Sequence, residues 1–342
     1  MNLKLQWLRN KMSSLNLQGI IISNPVNIKY LTNIDAEGTL LITPKENIYI
    51  TDGRYIEYVN KTLTIFDEIT VYDVKDISLD DYENFFLFCE NVGFEENYLT
   101  YAKYKEYIRK YKIHNFVETE DIIEKQRAIK DEEEIANIEK ACQITRDCFE
   151  YIKEYLKPGN TEKQVANLID EYYYQNSEGP SFETIVASGE NSSKPHAIPT
   201  NRAFTEQDII TIDMGCKYNG YCSDMTRTFF IGEPTEKQRK VYNLVAKNHA
   251  QTIDAIKDGA NIKLLAKMVE NDFKLNDYDL IHGLGHGVGL EIHEKPYLSS
   301  RVDAPLREKM VVTVEPGIYI PGEFGVRIED TVLVEKGGAR KL

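Results

Sequence analysis

Hydrophobic and polar positions give the chain two textures. Apolar residues at positions 3, 7, 8, 12 and 15, with charges between them, predict an amphipathic helix over 3–15. Short apolar runs at 19–23, 38–43 and 47–51 read as strands, with a turn from Pro44 to Asn47 between the last two. Thr51-Asp52-Gly53-Arg54-Tyr55 reads as the exit from a strand into a helix, and a second helix over 98–111 with a run at 113–117 completes an α/β region. At Asp131, with Glu134 three residues on, a capping box opens a long helix that Pro158-Gly159 stops. The next helix starts at Thr161, with Gln164 in the same relation. This change of texture places a break near 120–126 and predicts two domains, 1–124 and 125–342. From Ser181 onward, strands and glycine-containing turns dominate, interrupted by helices over 236–256 and near 262–273. No internal repeat is visible.

With 342 residues the chain is long enough for two domains with their own cores. Its 41 Lys+Arg against 55 Asp+Glu leave a net charge of -14, which excludes nucleic acid as a general partner because phosphate binding needs concentrated positive charge. No run of about 18 apolar residues exists, so no spanning helix and no membrane role is expected. The five cysteines are odd in number and form no Cys-x-x-Cys pair, which suits reduced thiols in a cytoplasmic protein without a disulfide framework.

Three segments carry candidate chemistry. Asn219-Gly220 between two β-rich runs is a strong hairpin signal. Counting back from it pairs Tyr218 with Tyr221, Gly215 with Asp224 and Asp213 with Thr226. In a regular hairpin Asp213 and Asp224 are then diagonal neighbours, with Cβ atoms about 7 Å apart or less, so both carboxylates reach a common point. The alternative is two outward, solvated aspartates. The segment His282 to Glu294 holds three of the six histidines among alternating glycines. An extended reading puts His282, Leu284, His286, Val288 and Leu290 on one face and leaves the glycines free for close approach. His293 falls on the other parity unless the chain turns. In the third segment Glu315 ends an apolar strand, and Arg327 and Glu329 share a face of the next, where a surface ion pair is the alternative. Together this is an oxygen-rich donor set with one or two imidazoles. It suits two hard or borderline divalent ions, Mn²⁺, Co²⁺ or Zn²⁺, better than a thiolate site. Four carboxylates balance two such cations and leave a bridging hydroxide as nucleophile.

The blocks Ile212-Asp213-Met214-Gly215, Gly220 to Thr228, Gly285 to Glu294, Val314-Glu315-Pro316-Gly317-Ile318-Tyr319 and Val326 to Thr331 resemble, in order, the signatures of the Xaa-Pro peptidases, the aminopeptidase P and prolidase branch of the pita-bread metallopeptidases. Asn24 to Thr32 and Thr51 to Tyr55 are similar to the creatinase-type N-terminal domain. The resemblance implies an α+β architecture, a pita-bread catalytic domain preceded by a smaller α/β domain. It implies a dinuclear site, most readily of Mn²⁺, in which Asp224 and Glu329 bridge the metals, Asp213 completes one ion, and His286 with Glu315 complete the other. It further implies His196 and His293 as substrate-side catalytic histidines, Glu315 as general base, His282 as a pocket histidine, and Arg327 with Tyr319 as supporting substrate-site residues. The expected activity is Xaa-Pro aminopeptidase, by a hydroxide bridging the two metals. A dipeptidase acting on Xaa-Pro dipeptides is the alternative, followed by a non-catalytic peptide- or protein-binding scaffold. Peptides with proline at position two are the expected partners, and a cytoplasmic homodimer the expected assembly.

Overall fold

The computed structural model describes residues 2–63 and 68–342 and divides into two compact units, Met1–Arg127 and Ala128–Leu342. The first unit is built on one mixed sheet in the order 69–73, 47–51, 39–42, 19–22, 91–94, 115–118. The central strand Gly19–Ile22 is buried along its whole length, which is why it reads as an unbroken apolar run and not as an alternation. Beside it, Asn24 caps the helix Pro25–Thr32, with proline at its first position. The buried Glu95 carboxylate accepts the backbone N–H groups of Ser23 and Asn24 at 2.7 and 2.8 Å. The predicted helix over 98–111 is shorter, Tyr101–Lys110, because Thr100 caps it.

In the second unit, helices Glu132–Ile152 and Glu162–Asn176 cover one core, and helices Glu236–Ala255 and Ile262–Lys274 belong to another. The capping boxes expected at Asp131 and Thr161 are present, and a third stands at Thr235. The first helix pair packs on the sheet 225–231, 208–214, 185–188, and the second on the sheet 294–298, 285–287, 311–314, 330–334, 339–341. The strands Gly317–Ile320 and Phe324–Arg327 form a separate hairpin.

The sequence shows no repeat, yet the two helix pairs are wired alike. Gly159 and Gly259 both take positive φ, 93° and 80°. Their N–H groups donate to the carbonyls of Phe204 and Leu306, and those residues donate back to Asn160 and Ala260. Two residues further on, Thr161 and Asn261 cap the second helix of each pair. The repeat shows in backbone geometry first; in sequence it keeps only Lys157/Lys257, Gly159/Gly259, Lys163/Lys263 and Ala166/Ala266 over ten positions, too sparse a likeness to stand out in the whole chain.

Candidate metal centre

The hairpin that Asn219-Gly220 announces has the register counted from the sequence. Tyr221 pairs with Tyr218, and Thr226 with Asp213. Asn219 and Gly220 both take positive φ, 48° and 80°, the type I′ geometry that their residue types favour. Along the strand Asp208–Met214, Ile210, Ile212 and Met214 enter the core under the first helix pair. Period two then sends Thr211 and Asp213 to the other face. Asp224 stands just before the strand Met225–Ile231 and is buried.

The glycine-rich segment is less regular than a single extended face. Only Gly285–Gly287 is strand, and its register with Glu294–Leu298 shifts between His286 and Gly287. As a result Leu284 joins one core and Val288 another. The glycines do serve close approach: a Cβ on Gly285 would lie 2.0 Å from the Thr313 carbonyl oxygen. Beyond Val288 the chain turns, bringing the His293 ring edge-on to the His286 ring at 4.4 Å.

The stretch 326–334 is likewise two strands. Phe324–Arg327 pairs with Gly317–Ile320, and Asp330–Val334 pairs with Val311–Val314, so Glu329 sits at the break between sheets. Arg327 and Glu329 are 4% and 1% exposed, which rules out the surface ion pair. They are joined through Thr226, whose hydroxyl accepts from Arg327 Nε at 3.0 Å and donates to Glu329 Oε2 at 2.7 Å.

Arg327 also donates to Asp213 Oδ2 at 2.6 Å, to the Tyr319 hydroxyl at 2.6 Å and to the Pro195 carbonyl at 3.2 Å. Burial first, then its neighbour Arg327 and other charges, holds His282 down to about 4, so its ring is neutral at pH 7. His282 Nδ1 lies 2.8 Å from the Gly283 carbonyl and carries the proton, which leaves Nε2 to accept from the Tyr319 hydroxyl at 3.0 Å. His286 follows the same logic. Burial and the neighbouring His293 lower it to about 4, and Nδ1 donates to the Gly287 carbonyl at 3.1 Å. Its Nε2 lone pair then points into the cavity, 3.5 Å from both Asp224 Oδ2 and Glu315 Oε1.

Nine of the ten residues singled out in the sequence line one cavity of about 650 Å³: His196, Asp213, Asp224, His282, His286, His293, Glu315, Arg327 and Glu329. Tyr319 stands behind its wall, bonded to His282 and Arg327. Donor atoms of Asp224, His286 and Glu329 lie within 4.8 Å of one another. Burial, and then mutual repulsion, raises Asp224 and Glu329 well above the usual carboxylate range. Burial likewise pushes Glu315 up to about 8. Asp213 Oδ1 and Glu329 Oε1 are buried with no hydrogen-bond partner. Buried acids that repel one another, orphaned oxygens and an imidazole lone pair aimed among them are what a bound cation resolves, so the donor set fits divalent metal. Thr226 was missed in the sequence, although the hairpin count places it opposite Asp213. Thr313, whose hydroxyl accepts the His286 backbone N–H at 3.1 Å, left no signal at all.

Comparison with known proteins identifies the family. Residues 136–336 match metallopeptidase family M24, and residues 4–129 match the creatinase/prolidase N-terminal domain. The Xaa-Pro dipeptidase of Pyrococcus furiosus is 35% identical over 99% of this chain and 97% of its own. The solved Xaa-Pro dipeptidase from Bacillus anthracis superposes with a TM-score of 0.92 at 34% identity, covering 99% and 96%. The X-Pro aminopeptidase from Thermotoga maritima gives 0.86 at 30% identity, covering 97% of each chain. The chain belongs to metallopeptidase family M24, with a creatinase-type domain ahead of the catalytic one. It is a metal-dependent hydrolase, and divalent ions are the cofactors its family requires.

Proposed function

We propose that this protein hydrolyses the peptide bond preceding a proline in short peptides with a free N-terminal residue. The observation that carries the reading is the convergence of four carboxylates and one neutral imidazole on a single cavity. Asp224 and Glu329 would be shared by two ions, Asp213 would complete one, and His286 with Glu315 the other. Mn²⁺ suits this oxygen-rich set first, with Co²⁺ or Zn²⁺ as substitutes. The ions supply Lewis acidity and a water that loses its proton near neutral pH.

The chain's own groups do the rest. Glu315 takes the proton of the attacking water, from a carboxyl position at the cavity wall. His293 donates to the scissile carbonyl oxygen as charge develops there, and His196, on the loop at the cavity mouth, assists proton transfer toward the leaving nitrogen. His282 and Tyr319 shape the substrate side, while Arg327 holds Asp213 in place. Phe182, Ile185, Pro195, Ile198 and Ile292 give the cavity an apolar lining that suits a proline ring. The two dipeptidases at 34–35% identity favour dipeptides as substrates, and the aminopeptidase at 30% supports longer Xaa-Pro peptides as the second reading. A reducing cytoplasm suits the five buried, free thiols, and a homodimer is the assembly that the family resemblance implies.

The test is hydrolysis of Ala-Pro, Ala-Pro-Ala and Ala-Ala-Ala by metal-stripped protein reloaded with Mn²⁺, Co²⁺ or Zn²⁺. Metal-dependent cleavage of the proline peptides with Ala-Ala-Ala resistant supports the reading, and the ratio of the first two substrates separates dipeptidase from aminopeptidase. Resistance of all three with metal bound would sink it.

A further inference from the structure

Lys130 falls between the two family matches, which end at residue 129 and resume at 136, and no step of the chemistry above uses it. Its side chain is nonetheless 1% exposed and meets the 4% exposed Glu294 at 2.6 Å. Two charges removed from water are costly to keep, so a pair at this depth calls for a reason beyond stability.

The location supplies one. Glu294 is the first residue of the strand Glu294–Leu298 and follows His293 directly. Glu294 is buried while His293 lines the cavity, so the anchor inside and the imidazole in the cavity hang from one peptide unit. Gly289, on the near arm of the same turn, leaves space for the anchor: a Cβ there would lie 2.2 Å from Glu294 Oε1. That arm is tied in turn by the Cys222 N–H to the Gly289 carbonyl at 2.8 Å. On the other partner, the Lys130 N–H donates to the Lys309 carbonyl at 2.9 Å, ahead of the strand Val311–Val314 that leads to Glu315.

We propose that Lys130 and Glu294 are positioning residues for His293: the buried ion pair fixes the turn 288–293 so that the imidazole faces the cavity beside His286. This rests on the reading of His293 as a substrate-side group.

The variant to make is Lys130→Met with Glu294→Met, since replacing both charges with apolar groups of similar size preserves folding better than stranding one. Glu294→Gln serves as a second variant that keeps the shape. With metal content and fold retained, kcat on Ala-Pro or Ala-Pro-Ala is expected to fall about 10- to 100-fold with KM little changed, the scale of a misplaced supporting group. The His293 ring Cε1–H resonance, assigned by its loss in His293→Ala, is expected to move. In a His293→Ala background the double substitution should cost no further activity. An equal fold-loss in that background, or an unmoved resonance with full kcat, would overturn the proposal. Should the unmodified protein cleave no proline peptide, the peptidase reading fails, while the resonance still decides whether the pair positions His293.

Discussion

Four contacts leave the Arg327 guanidinium, to Asp213, Tyr319, Thr226 and Pro195, and three of them fix a group at or behind the cavity wall. A lysine presents one point charge and cannot reproduce that planar fork. Arg327→Lys is therefore expected to keep the fold and lose about 10- to 100-fold in kcat, read from steady-state kinetics at saturating metal. Arg327→Met leaves the largely buried Asp213 carboxylate without its partner, and denaturant unfolding of the metal-stripped variant should show a loss of about 2–3 kcal/mol. His293 makes a different prediction. As a donor to developing charge it should cost about 10²- to 10³-fold in kcat when changed to alanine, with KM nearly constant. A rise in KM at unchanged kcat would instead make it a ground-state binding group.

At the scale of elements, the Asn219-Gly220 turn sets the register that brings Asp213 and Asp224 to one place, so its backbone geometry is a functional requirement. Gly220→Ala, at φ 80°, should lower stability by about 1–2 kcal/mol and weaken metal retention in parallel, measured by unfolding and by metal content after dialysis. The hairpin register and the helix starts were legible because each depends on local chemistry, a type I′ turn or a capping box. The glycine-rich segment was legible only in part. Its glycines announce close approach, but the partner, the Thr313 carbonyl, comes from a strand far along the chain, and so does the bulge that ends the alternation. Residues 326–334 read as one strand because both halves are apolar and alternate. Nothing local reveals that they pair with different neighbours and leave Glu329 at the seam. His196 lies on a loop with no periodicity, and only the family resemblance drew attention to it.

Over the whole molecule, the clustered acids make stability depend on pH in an unusual direction. Without metal, Asp224, Glu315 and Glu329 bind protons more tightly when folded than when unfolded. Their contribution is complete at the acid end and is lost as pH rises, through about 8 for Glu315. The buried histidines, lowered to about 4, act oppositely, but only below their ordinary value of 6.5. Between pH 6.5 and about 8.5 the melting temperature of stripped protein should therefore fall. Added Mn²⁺ should restore it most at the alkaline end, where the acids are free to bind. Stripped protein that gains stability over that range would contradict the assignment. The span of the donor set carries one more consequence. Arg327 meets Asp213 across 114 residues of chain, and Thr226 meets Glu329 across 103. Contacts of that separation close late in folding, because the loop entropy must be overcome first. A chain still being synthesised, with only the first half of its catalytic unit made, holds strands for partial structure and yet no complete cutting site. The arrangement ties cutting power to completion of the catalytic unit, because the donor set exists only when both ends of that unit have come together.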